Sequence, residues 1–311
     1  MARILITGAA GYVGSVLTPA VLEAGHSVTA VDNFMYGQTS LLQCCSHPNF
    51  EMVRGDARDR DLIRDCLKTA DVIFPLACLT GAPICQRDPI GAQTVNRDAI
   101  ADIIAMRSPR QRILFPTTNS GYGIGEKGKF CTEQTPLRPV SLYGRLKVEI
   151  EQRLLAAGNV VTLRLATVFG VSPRMRTDLL VNDFVLRAVR DKAIVLFEAD
   201  FKRNYLHVRD AAAAFLFCLE NFEKMKDQPY NVGLSEANLS KAELCREIQK
   251  RIPDFYFTEH ALGEDPDKRD YIVSNARIEA AGFKARRGLQ EGIAELIKAF
   301  RMLRQSQYGN V

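Results

Sequence analysis

Tyr143 and Lys147 stand four residues apart in Ser141-Leu142-Tyr143-Gly144-Arg145-Leu146-Lys147. On a helix that spacing puts both side chains on one face, one turn apart. A lysine ammonium beside a phenol favours the phenolate and lowers the phenol's pKa. A tyrosine tuned in this way takes a proton from an alcohol or returns one to a carbonyl. The spacing recurs by chance in long chains, so its meaning depends on a nucleotide site upstream.

That site is written into the N-terminal stretch. Residues Arg3 to Thr7 form a short apolar run suited to a buried parallel strand. Gly8-Ala9-Ala10-Gly11-Tyr12-Val13-Gly14 follows, and Ser15 to Gly25 then reads as an amphipathic helix closed by glycine. His26 to Val31 makes a second strand, ending at Asp32. Strand, glycine turn, helix, strand and acid fall within about thirty residues, as a dinucleotide-binding unit requires. Gly8, Gly11 and Gly14 let the backbone turn tightly and approach a pyrophosphate resting on the helix N-terminus. Asp32 can accept both ribose hydroxyls and repels a 2′-phosphate, which favours NAD over NADP. The bland alternative for Asp32 is a turn opened together with Asn33.

The alternation continues. Glu51 to Asp56 reads as a third strand, Asp61 to Thr69 as a helix, and Asp71 to Ala77 as a fourth strand. Arg97 to Met106 reads as a helix and Arg112 to Pro116 as a further strand. Repeated alternation predicts an α/β fold with a Rossmann-type, doubly wound parallel sheet. Ligands bind at the carboxyl ends of such strands, which places Ala77-Cys78-Leu79-Thr80 and Thr117-Thr118 at the site. The Thr118 hydroxyl is a candidate partner for a substrate oxygen.

Bulk properties agree with a globular enzyme. The 311 residues are 47% hydrophobic and 25% charged, close to average usage. The net charge of +5, from 41 basic and 36 acidic residues, is spread along the chain. Nucleic-acid binding calls for a clustered basic face, and none is evident. No apolar run is long enough to span a bilayer, and Gly8 interrupts the N-terminus too early for a signal peptide. A cytoplasmic protein is expected. The eight cysteines show no CxxC pair and no matching histidine spacing, so reduced, mostly buried thiols and no metal site are expected.

Taken together, the chain resembles the extended short-chain dehydrogenases/reductases that act on nucleotide sugars, the epimerase/dehydratase family with its UDP-glucose 4-epimerase-like members. The resemblance rests on Gly8-x-x-Gly11-x-x-Gly14, Asp32, Asp56, Pro75-Leu76-Ala77, Asn96, Thr117-Thr118-Asn119-Ser120-Gly121-Tyr122-Gly123 and Tyr143-x-x-x-Lys147. It continues through Arg164 to Gly170 and Arg203-Asn204-Tyr205-Leu206-His207-Val208-Arg209-Asp210, and so covers essentially the whole chain. It implies Tyr143 as general base, Lys147 on the nicotinamide ribose, and Thr118 on the reacting sugar oxygen. It implies an NAD site formed by Gly8, Gly11, Tyr12, Val13, Gly14, Asp32, Asn33, Asp56, Ala57, Leu76, Ala77, Thr80, Asn96 and Thr117, with Tyr143 and Lys147. Asp56 would meet the adenine. Thr118, Asn119, Thr167, Asn182, Arg203 and Arg269 would meet the sugar nucleotide. Asn182 and the two arginines, the second within Asp267-Lys268-Arg269-x-Tyr271, would hold its diphosphate. His207 reads as a structural histidine beside the site. The resemblance also implies an NAD domain over 1–170 with a returning segment near 204–233, a nucleotide-sugar domain mainly over 171–311, and a homodimer. The dimer would form through the helices containing Ala99 to Ala105 and Tyr143 to Leu155.

Departures from the family pattern bear on the reaction. Nucleotide-sugar 4,6-dehydratases carry Thr-Asp-Glu where this chain has Thr118-Asn119-Ser120, and related decarboxylases keep a glutamate at the position of Ser120. Neither Asn119 nor Ser120 titrates near neutrality, so the carboxylates for elimination are missing. Thr167 in place of asparagine and Pro75 in place of histidine bear on the substrate pose. An NAD-dependent epimerase acting at C4 through a 4-keto sugar is the reaction expected. A 4-keto-sugar reductase, a 4,6-dehydratase and a non-catalytic NAD sensor are the alternatives. The loop from Phe34 to Asn49 has no reading beyond its place beside the adenosine ribose.

Overall fold

The structure, a computed structural model, describes residues 1–260 and 269–303. Seven strands make the central sheet: β1 (Arg3–Thr7), β2 (Ser27–Asp32), β3 (Phe50–Arg54), β4 (Val72–Pro75), β5 (Arg112–Thr118), β6 (Val160–Leu165) and β7 (Gln228–Val232). Their order is β7-β6-β5-β4-β1-β2-β3, and every pairing is parallel. The order reverses between β1 and β4, which opens a crevice at the carboxyl edge.

Side-chain alternation explains why these runs become buried strands. Ile4 and Ile6 pack on one face with Leu17, Val21 and Phe215, while Leu5 packs on the other with Ile63, Ile103 and Phe115. Helix α1 (Gly14–Glu23) covers the first face. Helix α2 (Leu142–Ala157) supplies Ile150 and Leu154 to the second. Ser141 caps α2, its hydroxyl accepting from the Gly144 N–H at 3.1 Å, and Gly158 at φ +70° ends it.

A separate apolar core gathers Phe169, Val181, Phe184, Val185, Leu244, Ile248, Ile293 and Leu296. Beside it the strand Lys202–His207 pairs antiparallel with Asn238–Ser240 and parallel with Thr167–Phe169. Among the described residues no helix is long and apolar enough to cross a membrane. The helix read from Arg97 begins earlier: Pro89–Gln93 runs through a wide π turn, Thr94–Asp98, straight into Ala99–Met106. Asn96 lies buried in that turn.

Candidate active site

The glycine turn after β1 fits a pyrophosphate. Gly8 has φ +69°, and a Cβ there would lie 2.6 Å from the Ala77 backbone nitrogen. A Cβ on Gly14 would lie 2.5 Å from the carbonyl oxygens of Gly8 and Ala9. Helix α1 begins without a side-chain cap or an acidic residue in its first turn, so its N-terminal field has no competing anion of its own.

Asp32 ends β2 in a buried position. One carboxylate oxygen accepts from the Ala10 N–H at 2.9 Å; the other accepts from the Phe34 N–H at 2.8 Å and the Gln38 amide at 3.3 Å. Acceptor capacity toward a ribose therefore remains mainly on the first oxygen. Burial raises this carboxyl above its ordinary value. The loop after Phe34 gains a role here, since Gln38 closes onto Asp32 and the Ser40 hydroxyl donates to the Ala10 carbonyl at 2.7 Å. Asp56 also lines the cleft, but its carboxylate is held by Arg58 at 2.7 and 2.9 Å. That guanidinium holds its pKa down at about 2.

At the other end of the cleft, Tyr143 and Lys147 both project from α2 into it. The Lys147 ammonium donates to the Pro116 carbonyl at 2.9 Å and lies 4.4 Å from the Phe115 ring centre. The expected depression of the tyrosine pKa is not found. Burial pushes the Tyr143 phenol up, and the nearby thiols of Cys78 and Cys85 add to the rise. The cations that pull against it are Arg269 and Arg176 rather than Lys147. Thr118 caps the turn Asn119–Tyr122; its hydroxyl accepts from the Ser120 N–H at 3.1 Å and donates to the Ser120 hydroxyl at 2.9 Å. The Arg269 guanidinium donates to that same Ser120 oxygen.

The cleft brings together Gly8, Gly11, Tyr12, Val13, Gly14, Asp32, Asn33, Asp56, Ala57, Leu76, Ala77, Thr80, Thr117, Thr118, Tyr143, Lys147, Thr167 and Arg269. Asn96, Asn119, Asn182 and Arg203 lie outside its lining. The Asn96 amide is spent on the Leu79 backbone, accepting from its N–H at 2.8 Å and donating to its carbonyl at 2.9 Å. Asn182 accepts from the Gly170 N–H at 3.0 Å and donates to the Arg176 carbonyl at 2.8 Å and the Tyr12 hydroxyl at 3.2 Å. Both asparagines brace loops behind the cleft lining. Asn119 is buried, with neither amide atom hydrogen-bonded among the described residues. Arg203 turns to the Lys202 carbonyl and stacks 5.8 Å from the Tyr271 ring centre. Asp267 and Lys268 lie outside the described residues. His207 caps the helix Val208–Glu220, its Nδ1 accepting from the Arg209 N–H at 3.2 Å, and burial lowers its pKa.

Sequence reasoning missed Arg174 and Arg176, which line the cleft together with Cys78, the latter placed there by its strand end. Arg174 stacks 4.4 Å from the Tyr36 ring centre; Arg176 pairs with Asp178 and donates to the Thr80 carbonyl at 3.4 Å. Both arginines are buried. The available signal was a pair of arginines two apart, between the Gly170 strand end and the helix Leu180–Arg190.

Comparison with known proteins agrees with this geometry. The model of the NAD dependent epimerase/dehydratase family matches residues 4–233. The low-salt glycan biosynthesis protein Agl12 of Haloferax volcanii is 28% identical, the match covering 93% of this chain and 96% of that protein. UDP-glucuronic acid decarboxylase 1 of Arabidopsis thaliana is 26% identical over 96% of this chain and 70% of its own length. The Thermus thermophilus UDP-glucose 4-epimerase, solved with NAD, shares the fold with a TM-score of 0.82 at 23% identity, covering 96% of this chain and 99% of that one. A glycine turn packed too closely against its own backbone to admit a Cβ, an acid closing the second strand and a Tyr-Lys helix at the crevice therefore have one joint explanation: the chain belongs to the NAD-dependent epimerase/dehydratase family of extended short-chain dehydrogenases/reductases and is an NAD-dependent enzyme.

Proposed function

We propose that the protein epimerises a nucleotide-linked sugar at C4 through a transient 4-keto intermediate. The observation that carries this reading is the turn after β5, which presents Thr118 and Ser120 hydroxyls and no carboxylate beside Tyr143. Among the described residues the acids lining the cleft are Asp32 and Asp56. Asp32 ends β2 and Asp56 follows β3, at least three strands from β5. That is a separation of roughly 14 Å at ordinary strand spacing. Neither can serve as the acid–base partner that elimination of water needs. The relatives named for UDP-glucuronic acid decarboxylation and for UDP-glucose 4-epimerisation support a nucleotide-sugar substrate.

NAD, when bound, supplies the hydride acceptor and donor. The chain's own groups do the rest. Tyr143 acts through its phenolate, which would take the proton from the C4 hydroxyl and later return it to the 4-keto oxygen. That role requires the positive charge of bound NAD to bring down the phenol that burial raises in the ligand-free protein. Lys147 spends one of its three N–H donors on Pro116 and keeps two for a ribose. Thr118 can hold the reacting oxygen against Tyr143 by turning its O–H from the Ser120 hydroxyl to that oxygen, while still accepting from the Ser120 N–H. Reduction from the opposite face requires only that the keto sugar rotate between the cleft walls.

The test is incubation of the purified protein and NAD with UDP-, GDP-, CDP- and dTDP-sugars, read by NMR. A C4 epimer without net redox is expected. Failure to form any epimer, with consumption of reduced cofactor on a 4-keto sugar, would overturn the reading in favour of a ketoreductase.

A further inference from the structure

Two cysteines share a single carbonyl at the wall of the cleft. Cys78 follows β4, lines the cleft and is half-buried; Cys85 is fully buried on the short helix Ala82–Arg87. Both thiols donate to the Leu79 carbonyl oxygen, at 3.6 and 3.2 Å. The two sulfurs are therefore no farther apart than those distances laid end to end. Among the described residues no other two thiols share an acceptor. Between them Gly81 has φ +111°, and a Cβ there would meet only the Pro83 ring, at 3.8 Å. The turn that joins the two cysteines thus has room to tighten.

The two thiols differ in access and in acidity. Burial pushes the Cys85 thiol up to about 12, and the neighbouring Cys78 adds to the rise. Cys85 is therefore inert toward a reagent arriving from solvent, and Cys78 is the sulfur that such a reagent meets first. Once Cys78 is blocked its own contribution disappears. Lys147 and the Asn96 amide, which donates to the Cys85 sulfur at 3.7 Å, still favour the Cys85 thiolate.

We propose that Cys78 and Cys85 form a reversible thiol-modification site, in which Cys78 is oxidised by a small disulfide and Cys85 resolves the adduct to a Cys78–Cys85 bond that opposes NAD binding. The Cys78 thiolate attacks one sulfur of the reagent, releasing one small thiolate and leaving a mixed disulfide. The Cys85 thiolate then attacks the Cys78 sulfur and releases the second. Two protein thiols lose two electrons to the reagent disulfide, and their protons end on the two small thiols. The wall from Leu76 to Thr80 lines the cleft throughout, so drawing Cys78 toward Cys85 deforms a surface that the cofactor must meet. Bound NAD in turn protects Cys78, because binding and oxidation draw on the same wall.

Oxidised glutathione is the probe. The full-length protein freed of cofactor, and the same protein reloaded with NAD, are incubated with it, alkylated and digested with trypsin. The peptide from Thr69 to Arg87 holds these two cysteines and no other. In the cofactor-free protein it should appear unalkylated and lighter by two hydrogens, and saturating NAD should slow that conversion at least about tenfold. Calorimetry should show the oxidised protein binding NAD at least about tenfold more weakly, within the usual range for coupled sites, with recovery on reduction by dithiothreitol. Cys85→Ser should stop at a glutathione adduct on Cys78. Alkylation of both cysteines in the wild type, or an adduct on Cys78 that never resolves, would overturn the site. A disulfide that forms equally fast with and without NAD and leaves cofactor affinity unchanged would overturn its coupling to the cofactor. These wild-type outcomes decide the matter even where the variant fails to fold.

Discussion

Arg164 on β6 and Glu151 on α2 form a buried ion pair at 2.6 Å. The same guanidinium donates to the Tyr122 hydroxyl at 3.1 Å, and that hydroxyl donates to the Asn231 side chain at 2.7 Å. Glu151 lies one turn beyond Lys147, and Tyr122 lies two residues beyond Ser120. The pair therefore ties the helix that carries Tyr143 to the turn that carries Thr118.

Removing one partner of such a pair leaves an uncompensated buried charge, which costs about 3–5 kcal/mol. Arg164→Met should lower unfolding stability by that amount in urea melts. Simultaneous replacement of both residues, as Arg164→Met with Glu151→Leu, should recover part of the loss. A single variant within about 1 kcal/mol of wild type would contradict the pairing.

Gly8 and Gly25 make a contrast inside one strand-helix unit. Both have positive φ, +69° and +83°, but a Cβ at Gly25 would meet nothing within 4 Å. Gly25→Ala should cost only the left-handed backbone penalty of about 1–2 kcal/mol. Gly8→Ala adds a clash with the Ala77 backbone and should cost about 1–3 kcal/mol more by overpacking. NAD affinity, read by calorimetry, should fall for Gly8→Ala and hold for Gly25→Ala. Equal losses at the two positions would remove the argument that the cradle is sterically required.

Asn96, expected at the cofactor, braces the cleft wall from behind. Its amide satisfies both the N–H and the carbonyl of Leu79, which lines the cleft next to Thr80. Asn96→Leu leaves the Leu79 N–H unpaired, at about 1–3 kcal/mol, while its carbonyl keeps the Cys85 thiol at 3.2 Å. Stability should therefore drop along with activity. A variant of unchanged melting temperature with weakened NAD binding would restore the direct cofactor role.

The parts of this fold that a single stretch encodes were legible without coordinates. The short apolar runs around Leu5 and Ile73, the glycine turn and the acid at Asp32 are local patterns, and the sheet follows from them. The cleft is harder to read because it is closed by residues far apart in the chain. Whether Asn182 faces a ligand or a loop is decided by the partners that folding brings to it, namely Tyr12, Gly170 and Arg176. Arg203 and Arg176 are both arginines near aromatic or polar neighbours in sequence, but only Arg176 lines the cleft. The environment of Tyr143 is illegible for the same reason. Helical spacing brings Lys147 to its face, but burial and the Cys78, Arg176 and Arg269 side chains come from other elements.

That environment gives the sharpest pH prediction. Burial raises the Tyr143 phenol from its ordinary value of 10.0, and the two arginines offset the rise only in part. A raised folded-state pKa means that the folded protein keeps a proton which the unfolded chain gives up first. The resulting stability is fully present below pH 10 and is lost as pH climbs through the folded value. Subtracting the ultraviolet titration of Tyr143→Phe from that of the wild type should therefore show no tyrosinate forming below pH 10 in the protein without ligand. Wild-type unfolding stability should also fall faster than that of Tyr143→Phe above that pH. Arg269→Gln removes one of the opposing cations and should move the ionisation higher still. Tyr143→Phe should lower turnover about 10²–10⁴-fold, the usual weight of a proton-transfer group. A Tyr143 component titrating near neutrality in the ligand-free protein would show that Lys147 tunes the phenol directly, against the geometry in which its ammonium is turned to Pro116.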